Sequence, residues 1–389
     1  VTLTTRLDAL LRAATDRIPG VVAIVADRAG TLYEGAFGVR DRATGAAMTI
    51  DTIFGLASMT KAIASAGAMQ MVEQGRLSLD ANIADVLPAL SAPQVLTGFA
   101  ADGTPELRPA AGPITLRQLL SHSAGFGYDT WNPEIRRYLA ARGLPRVPTS
   151  HAQLAQMPLL SDPGTRWNYS IATDVAGKAV EAIAGQRLDH HLRTSLLDPL
   201  GMPDTAVDLT DAQTACLGRV HQRGPDGQFT PIDFIPGDPS RWCIGGGALR
   251  GTARDYARFL RMVLNGGTLD GARVLGPAAI AEMSRNQLPH GQFVTCMRSV
   301  VPDRSNDAEF FPGLRKGWST AFMTNEEPAP TGRPAGSLAW AGIANTYCWA
   351  DPTTGIAGVF LTQIMPFADA DALGLFMAFE TEVYAALRG

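Results

Sequence analysis

The 389-residue chain carries 33 lysines and arginines against 37 acidic residues, a net charge of −4, and 46% of its residues are hydrophobic. That length supports a large core and either two domains or one domain with a sizeable insertion. The charge balance, without a long basic stretch, argues against a nucleic-acid partner, and no run of about 18 apolar residues is present to span a membrane.

The opening segment, VTLTTRLDALLRAATDRIPG, places leucines and alanines at helical spacing with charged residues between them, which predicts an amphipathic helix. It lacks the apolar stretch of a secretory signal, so the expectation for an untrimmed chain is a cytoplasmic protein. VVAIVAD (21–27) and TLYEGAFGV (31–39), separated by a short turn, predict an antiparallel hairpin. A helix is then expected from near Ser58 to a cap at Gly75, with Met59, Ala62, Ile63, Ala66 and Met69 marking apolar faces, so that Lys61 lies in a buried setting.

From about residue 80 to 290, helical patterns near 115–122, 172–185, 188–197 and 252–265 alternate with glycine- and proline-rich connections, and few strands are predicted. The last hundred residues change character. GSLAWAGIA (336–344), TYCWAD (346–351) and GIAGVFLTQIM (355–365) read as strands joined by tight turns, before a closing helix. The economical architecture is an α+β fold: residues 1–80 and 290–389 form one sheet domain flanked by helices, and 81–289 form a mainly helical insertion. The active site is expected where the two meet.

The chemistry starts from GLASMTKAIA (55–64), in which Ser58 and Lys61 stand three positions apart and share a helix face. A serine nucleophile needs a proton acceptor, a relay to the leaving group and donors for the oxyanion. No G-x-S-x-G motif occurs, which removes the usual α/β-hydrolase arrangement. Of the six histidines, His122 in LLSHSAGFGY reads as a backbone partner near a helix end rather than as a base. A buried lysine can replace histidine, with a tyrosine sharing the proton transfer, and Tyr169 in DPGTRWNYSIATDVAG sits just before a predicted helix. In SLAWAGIANTYCW, Gly342 permits close backbone approach and Ile343 offers a backbone N–H across from the nucleophile. Gly245-Gly246-Gly247 lacks the Gly-Lys-Ser/Thr of a phosphate loop and reads as a bend near the site. Cys216, Cys243, Cys296 and Cys348 show neither a C-x-x-C pair nor zinc-ligand spacing and read as reduced, partly buried residues.

Taken in order, SMTK, ITLRQLLSHSAGFG, DPGTRWNYS, LLDPLGM, GGGALRGTARDYARF and WAG make nearly the whole chain resemble the serine β-lactamase and penicillin-binding-protein superfamily, in its class C-like branch. Two departures define the subfamily. Class C β-lactamases carry Tyr-x-Asn and Lys-Thr-Gly, whereas here Ile171 replaces the asparagine and Trp340 the lysine. The charged hydrogen bond from that lysine to a β-lactam carboxylate contributes on the order of 1.5 to 3 kcal/mol. Tryptophan offers an apolar face and one neutral donor instead. In this respect the chain resembles the family VIII carboxylesterases, which favour neutral esters.

The resemblance implies Ser58 as the acylated nucleophile, Lys61 and Tyr169 as general base and acid, and the N–H groups of Ser58 and Ile343 as the oxyanion hole. Substrate contacts are expected from Trp340 and Gly342, and from Phe126, Tyr128 and Trp242, with Trp131, Trp318 and Trp349 as further aromatic candidates. The implied reaction is hydrolysis of a small short-chain or aryl ester through an acyl-enzyme, with no metal and no cofactor, away from nucleic acid and membrane. The same chemistry also serves an acyltransferase like those acylating statin precursors, an amidase or a weak β-lactamase. A non-catalytic binding protein on the same scaffold is the alternative from another class.

Overall fold

Residues 2–234, 242 and 244–388 are described by the structure, a computed structural model. Eight antiparallel strands form its central sheet: β1 (Gly20–Asp27), β2 (Thr31–Asp41), β3 (Ala46–Ala47), β4 (Lys316–Trp318), β5 (Met323–Asn325), β6 (Leu338–Gly342), β7 (Thr346–Asp351) and β8 (Ile356–Leu361). Their spatial order is β4-β5-β6-β7-β8-β1-β2-β3, so the two ends of the chain meet where Val22 of β1 stands opposite Leu361 of β8. Asp27 closes the first hairpin by accepting hydrogen bonds from the N–H groups of Ala29 and Gly30, the local turn chemistry that its sequence position favours.

Side chains alternate across a strand, and β1 uses both faces. Val21, Ala23 and Val25 join Leu7 and Leu11 of α1 (Leu3–Ala13) and Phe376 and Phe379 of α5 (Ala370–Arg388) in an aromatic-rich core. Val22 and Ile24 join a second, mainly aliphatic core with α2 (Thr60–Glu73), α3 (Ala172–Ala184) and α4 (Ala253–Leu264). Burial on both faces explains why β1, β6, β7 and β8 are largely apolar runs rather than strict alternations, whereas β2, nearer the sheet edge, is mostly exposed or half-buried. Each fully buried large side chain contributes roughly 1.5–3 kcal/mol.

Several expected elements differ in detail. Ser58 lies in a 3₁₀ turn, Ala57–Met59, and the α-helix begins only at Thr60. The middle of the chain holds more strand than its sequence pattern predicts, including the hairpins Gln94–Phe99 with Pro105–Pro109 and Val220–Arg223 with Phe229–Ile232. These hairpins are largely exposed or half-buried, so no apolar alternation marks them. Helix Pro133–Arg142 was also not predicted from periodicity; its signals were the Asn132 cap, the proline at its first position and the left-handed Gly143 at its end. Cys216, Cys296 and Cys348 are free thiols, and Cys243 lies outside the described residues. Among the described residues, no helix is long and apolar enough to cross a membrane.

Candidate active site

The turn carrying Ser58 is held from several sides. Ala57 adopts a left-handed backbone, φ 48°, which costs energy for a residue with a Cβ. The neighbouring backbone is clamped: Leu56 N–H donates to Leu249 O at 3.0 Å, and Gly55 exchanges hydrogen bonds with the side-chain amide of Gln363 at 3.1 and 3.3 Å. The end of β6 presses against this turn. A Cβ at Gly342 would stand 2.4 Å from Leu56 O and 2.3 Å from Thr346 Oγ1, so only glycine fits there. This contact brings half-buried Ile343, the residue after β6, to the flank of the Ser58 turn.

Lys61 follows one helical turn later and is 1% exposed. Three oxygens lie within hydrogen-bond distance of its Nζ: Ser58 Oγ at 3.2 Å, Tyr128 Oη at 3.1 Å and Gly246 O at 2.7 Å. Gly246 is itself fixed, since its N–H donates to the carboxylate of buried Asp174, in the first turn of α3, at 2.6 Å. A Cβ on Gly246 would fall 2.1 Å from that carboxylate. The bend read from the glycine triplet therefore supplies a carbonyl to the lysine, while Asp174 holds the same residue by its N–H.

Tyr169 is 6% exposed and stands in an aromatic enclosure. Its ring lies 4.8 Å from His122, 4.9 Å from Trp340, 5.4 Å from Tyr128 and 5.5 Å from Trp131, and Lys61 Nζ is 4.9 Å from its centroid. The Tyr169 hydroxyl accepts a hydrogen bond from Trp340 Nε1 at 3.1 Å. The segment before it is anchored by Asn168 N–H to His122 O at 2.8 Å and Gly164 N–H to Ser123 O at 2.8 Å. Farther out, Arg108 and the Ala111 N–H hold the carboxyl of Asp162 down at about 2. Burial, reinforced by the Lys61 charge, keeps the His122 imidazole well below its usual range and therefore neutral. Its Nδ1 lies 3.3 Å from Ser170 Oγ, outside the Ser58–Lys61 chain.

The structure thus brings Ser58, Lys61, Tyr128, Tyr169, Trp340 and Gly342 together. Tyr128, read from sequence as a substrate contact, is the phenol that bonds Lys61, and Trp340, read the same way, is 5% exposed and directs its N–H at Tyr169. Phe126 is buried in the aliphatic core. Trp242 packs over Lys178 and against the edge of His151, and Trp349 lies against Phe376 and Phe379 beneath α5. Trp318 supports Trp340 edge-on at 4.4 Å. Ile171 is buried and offers no polar group. A cavity of about 220 Å³ opens beside the two phenols, walled by Tyr128, Tyr169, Trp131, Leu160, Met297 and Arg298. Among the described residues, no group of three His, Cys, Asp or Glu side chains is placed to hold a metal ion.

This arrangement combines a hydroxyl bonded to a buried amine, two phenols and a glycine-edged strand end, which is the equipment for acyl transfer through serine. Comparison with known proteins agrees with that chemistry. The β-lactamase family profile matches residues 7–380. Lovastatin esterase of Penicillium rubens is 30% identical over 406 residues, covering 97% of this chain and 98% of its own. Simvastatin synthase from Aspergillus terreus superposes with a TM-score of 0.85 at 27% identity, covering 99% of this chain and 98% of its own. EstCE1, a hydrolase with promiscuous acyltransferase activity, gives a TM-score of 0.80 at 25% identity, covering 100% of this chain and 98% of its own. The chain belongs to the β-lactamase family and has its α+β fold, and it is a serine hydrolase.

Proposed function

We propose that this member of the β-lactamase family is a carboxylesterase that cleaves neutral short-chain or aryl esters through an acyl-enzyme on Ser58. The observation that carries this reading is the position of Lys61 Nζ, within hydrogen-bond reach of both Ser58 Oγ and the Tyr128 hydroxyl. With Lys61 acting as the neutral amine, Ser58 Oγ attacks the ester carbonyl as its proton passes to the Nζ lone pair, and the N–H groups of Ser58 and Ile343 receive the oxyanion. Tyr128 holds Lys61 in place, and Tyr169 delivers a proton to the departing alcohol. Water then attacks the acyl-enzyme with the same groups in reversed roles. Trp340 supports the preference for neutral substrates, because a buried indole replaces the cation that would meet a β-lactam carboxylate.

A second reading, transfer of the acyl group to an alcohol other than water, is supported by the likeness to simvastatin synthase and EstCE1. Both readings use one acyl-enzyme and differ in the second nucleophile.

The test compares hydrolysis of p-nitrophenyl acetate, butyrate and octanoate with that of a chromogenic cephalosporin, using wild type and Ser58→Ala. The expected result is rapid, Ser58-dependent ester cleavage and slow or absent cephalosporin turnover. Fast cephalosporin turnover contradicts the substrate class. Ester turnover undiminished in Ser58→Ala contradicts the nucleophile. Adding an alcohol acceptor and measuring ester product against free acid separates transfer from hydrolysis.

A further inference from the structure

We propose that Trp340 is a positioning residue for the leaving-group proton: its indole N–H steadies Tyr169 Oη as that oxygen gives its proton to the departing alcohol. The inference rests on the esterase reading and deepens it. Three geometric facts carry it. Trp340 is 5% exposed, so its ring presents little face to a substrate, and its polar atom lies 3.1 Å from Tyr169 Oη. The indole has little freedom to turn away, being wedged edge-on against Trp318 at 4.4 Å and packed near Phe310 at 6.0 Å, on a strand position paired with Cys348. The other indoles around Tyr169 use their N–H groups elsewhere or not at all. Trp131 donates to Ser305 Oγ at 3.0 Å, Trp318 donates to Leu120 O at 3.2 Å, and Trp167 Nε1 has no partner among the described residues.

The consequence is a division of labour between two phenols. Tyr128 faces Lys61, while Tyr169 Oη has an acceptor position filled by a fixed neutral donor, leaving its own proton free to be given. When the tetrahedral intermediate collapses, the bond from carbon to the alcohol oxygen breaks and its electron pair stays on that oxygen, which takes the Tyr169 proton. Tyr169 regains a proton from Lys61, which holds the one released by Ser58, so the net transfer is from Ser58 to the alcohol. In the interval Tyr169 Oη carries negative charge. A donor already in place stabilises that charge without reorganisation. A hydrogen bond to a charged group of this kind is worth about 10- to 100-fold in rate.

This role depends on the leaving group. An alkyl alcohol departs poorly and needs the proton, whereas p-nitrophenolate departs readily without it. Trp340→Phe is therefore expected to lower kcat/KM for ethyl or butyl butyrate at least tenfold more than for p-nitrophenyl butyrate, with the loss mainly in kcat. In a Tyr169→Phe background the same substitution is expected to add no further leaving-group-dependent loss. Fluorophosphonate labelling of Ser58, which expels fluoride, is expected to fall less than alkyl-ester turnover and reports that the variant is folded. Equal losses on alkyl and activated esters overturn the proposal and make Trp340 a packing or pocket residue. So does an undiminished loss in the Tyr169→Phe background. If wild type neither labels at Ser58 nor turns over any ester, the esterase reading itself fails and takes this role with it.

Discussion

The two halves of the candidate site are built differently. The Ser58–Lys61 half is local: a 3₁₀ turn feeding a buried helix in the aliphatic core, with both groups three residues apart. The Tyr169–Trp340 half is assembled from distant segments in the aromatic core, where residues 122, 128, 131, 169, 318 and 340 converge. Helix geometry fixes the first half, and packing of rings fixes the second. The contrast teaches that the Ser58–Lys61 spacing is set by a few local residues, while the placing of Tyr169 depends on several rings from distant segments.

Substitutions that break this contrast rank by expected size. Lys61→Ala removes the proposed base from the local half and is expected to lower ester turnover hundreds-fold or more; near-normal kcat in steady-state assays would contradict the proposed role. Gly342→Ala forces a Cβ onto Leu56 O and Thr346 Oγ1 and moves the strand end from the Ser58 turn. The expected loss is about ten- to a hundred-fold in kcat with folding retained by circular dichroism. Tyr128→Phe removes one of the Lys61 hydrogen bonds and is expected to cost about tenfold in kcat/KM on activated and alkyl esters alike, unlike the Trp340 substitution.

A change away from both halves sharpens the comparison by altering stability alone. Burial raises the carboxyl of Asp255 to about 6, although its Oδ2 accepts from Asp204 N–H and Thr205 Oγ1 at 2.9 Å each. A raised folded-state value means that this contribution is fully present below about pH 4 and is lost as pH rises through about 6, to the extent of about 3 kcal/mol. Asp255→Asn keeps an acceptor oxygen and is expected to be more stable than wild type at pH 7, with the gap in Tm shrinking as pH falls from 6 to 4 and ester activity unchanged. A gap that is the same at every pH would contradict the assignment.

Much of the fold was legible because its signals are local. The first hairpin, α3 and strand β7 were read from sequence within a few residues of their observed bounds, since apolar runs and turn residues bound them. Ser58, Lys61 and Tyr169 stand out as candidates from motif order, and the structure places them close together. The bond from Lys61 to Tyr128 and that from Trp340 to Tyr169 span 67 and 171 residues, and no periodicity reports a contact of that range. The same limit explains why Phe126 and Trp242, plausible as loop aromatics, pack against the core and Lys178. The clamp of Gly246 by Asp174 was half visible, as a glycine bend without its partner.

The most direct test of the proposed acyl-enzyme is peptide mapping by mass spectrometry after brief reaction with a fluorophosphonate, on wild type and Ser58→Ala. A single adduct on the peptide containing Ser58, absent from the variant and formed in parallel with loss of ester turnover, is the predicted result. An adduct on another residue, or full loss of turnover with Ser58 unmodified, would contradict it.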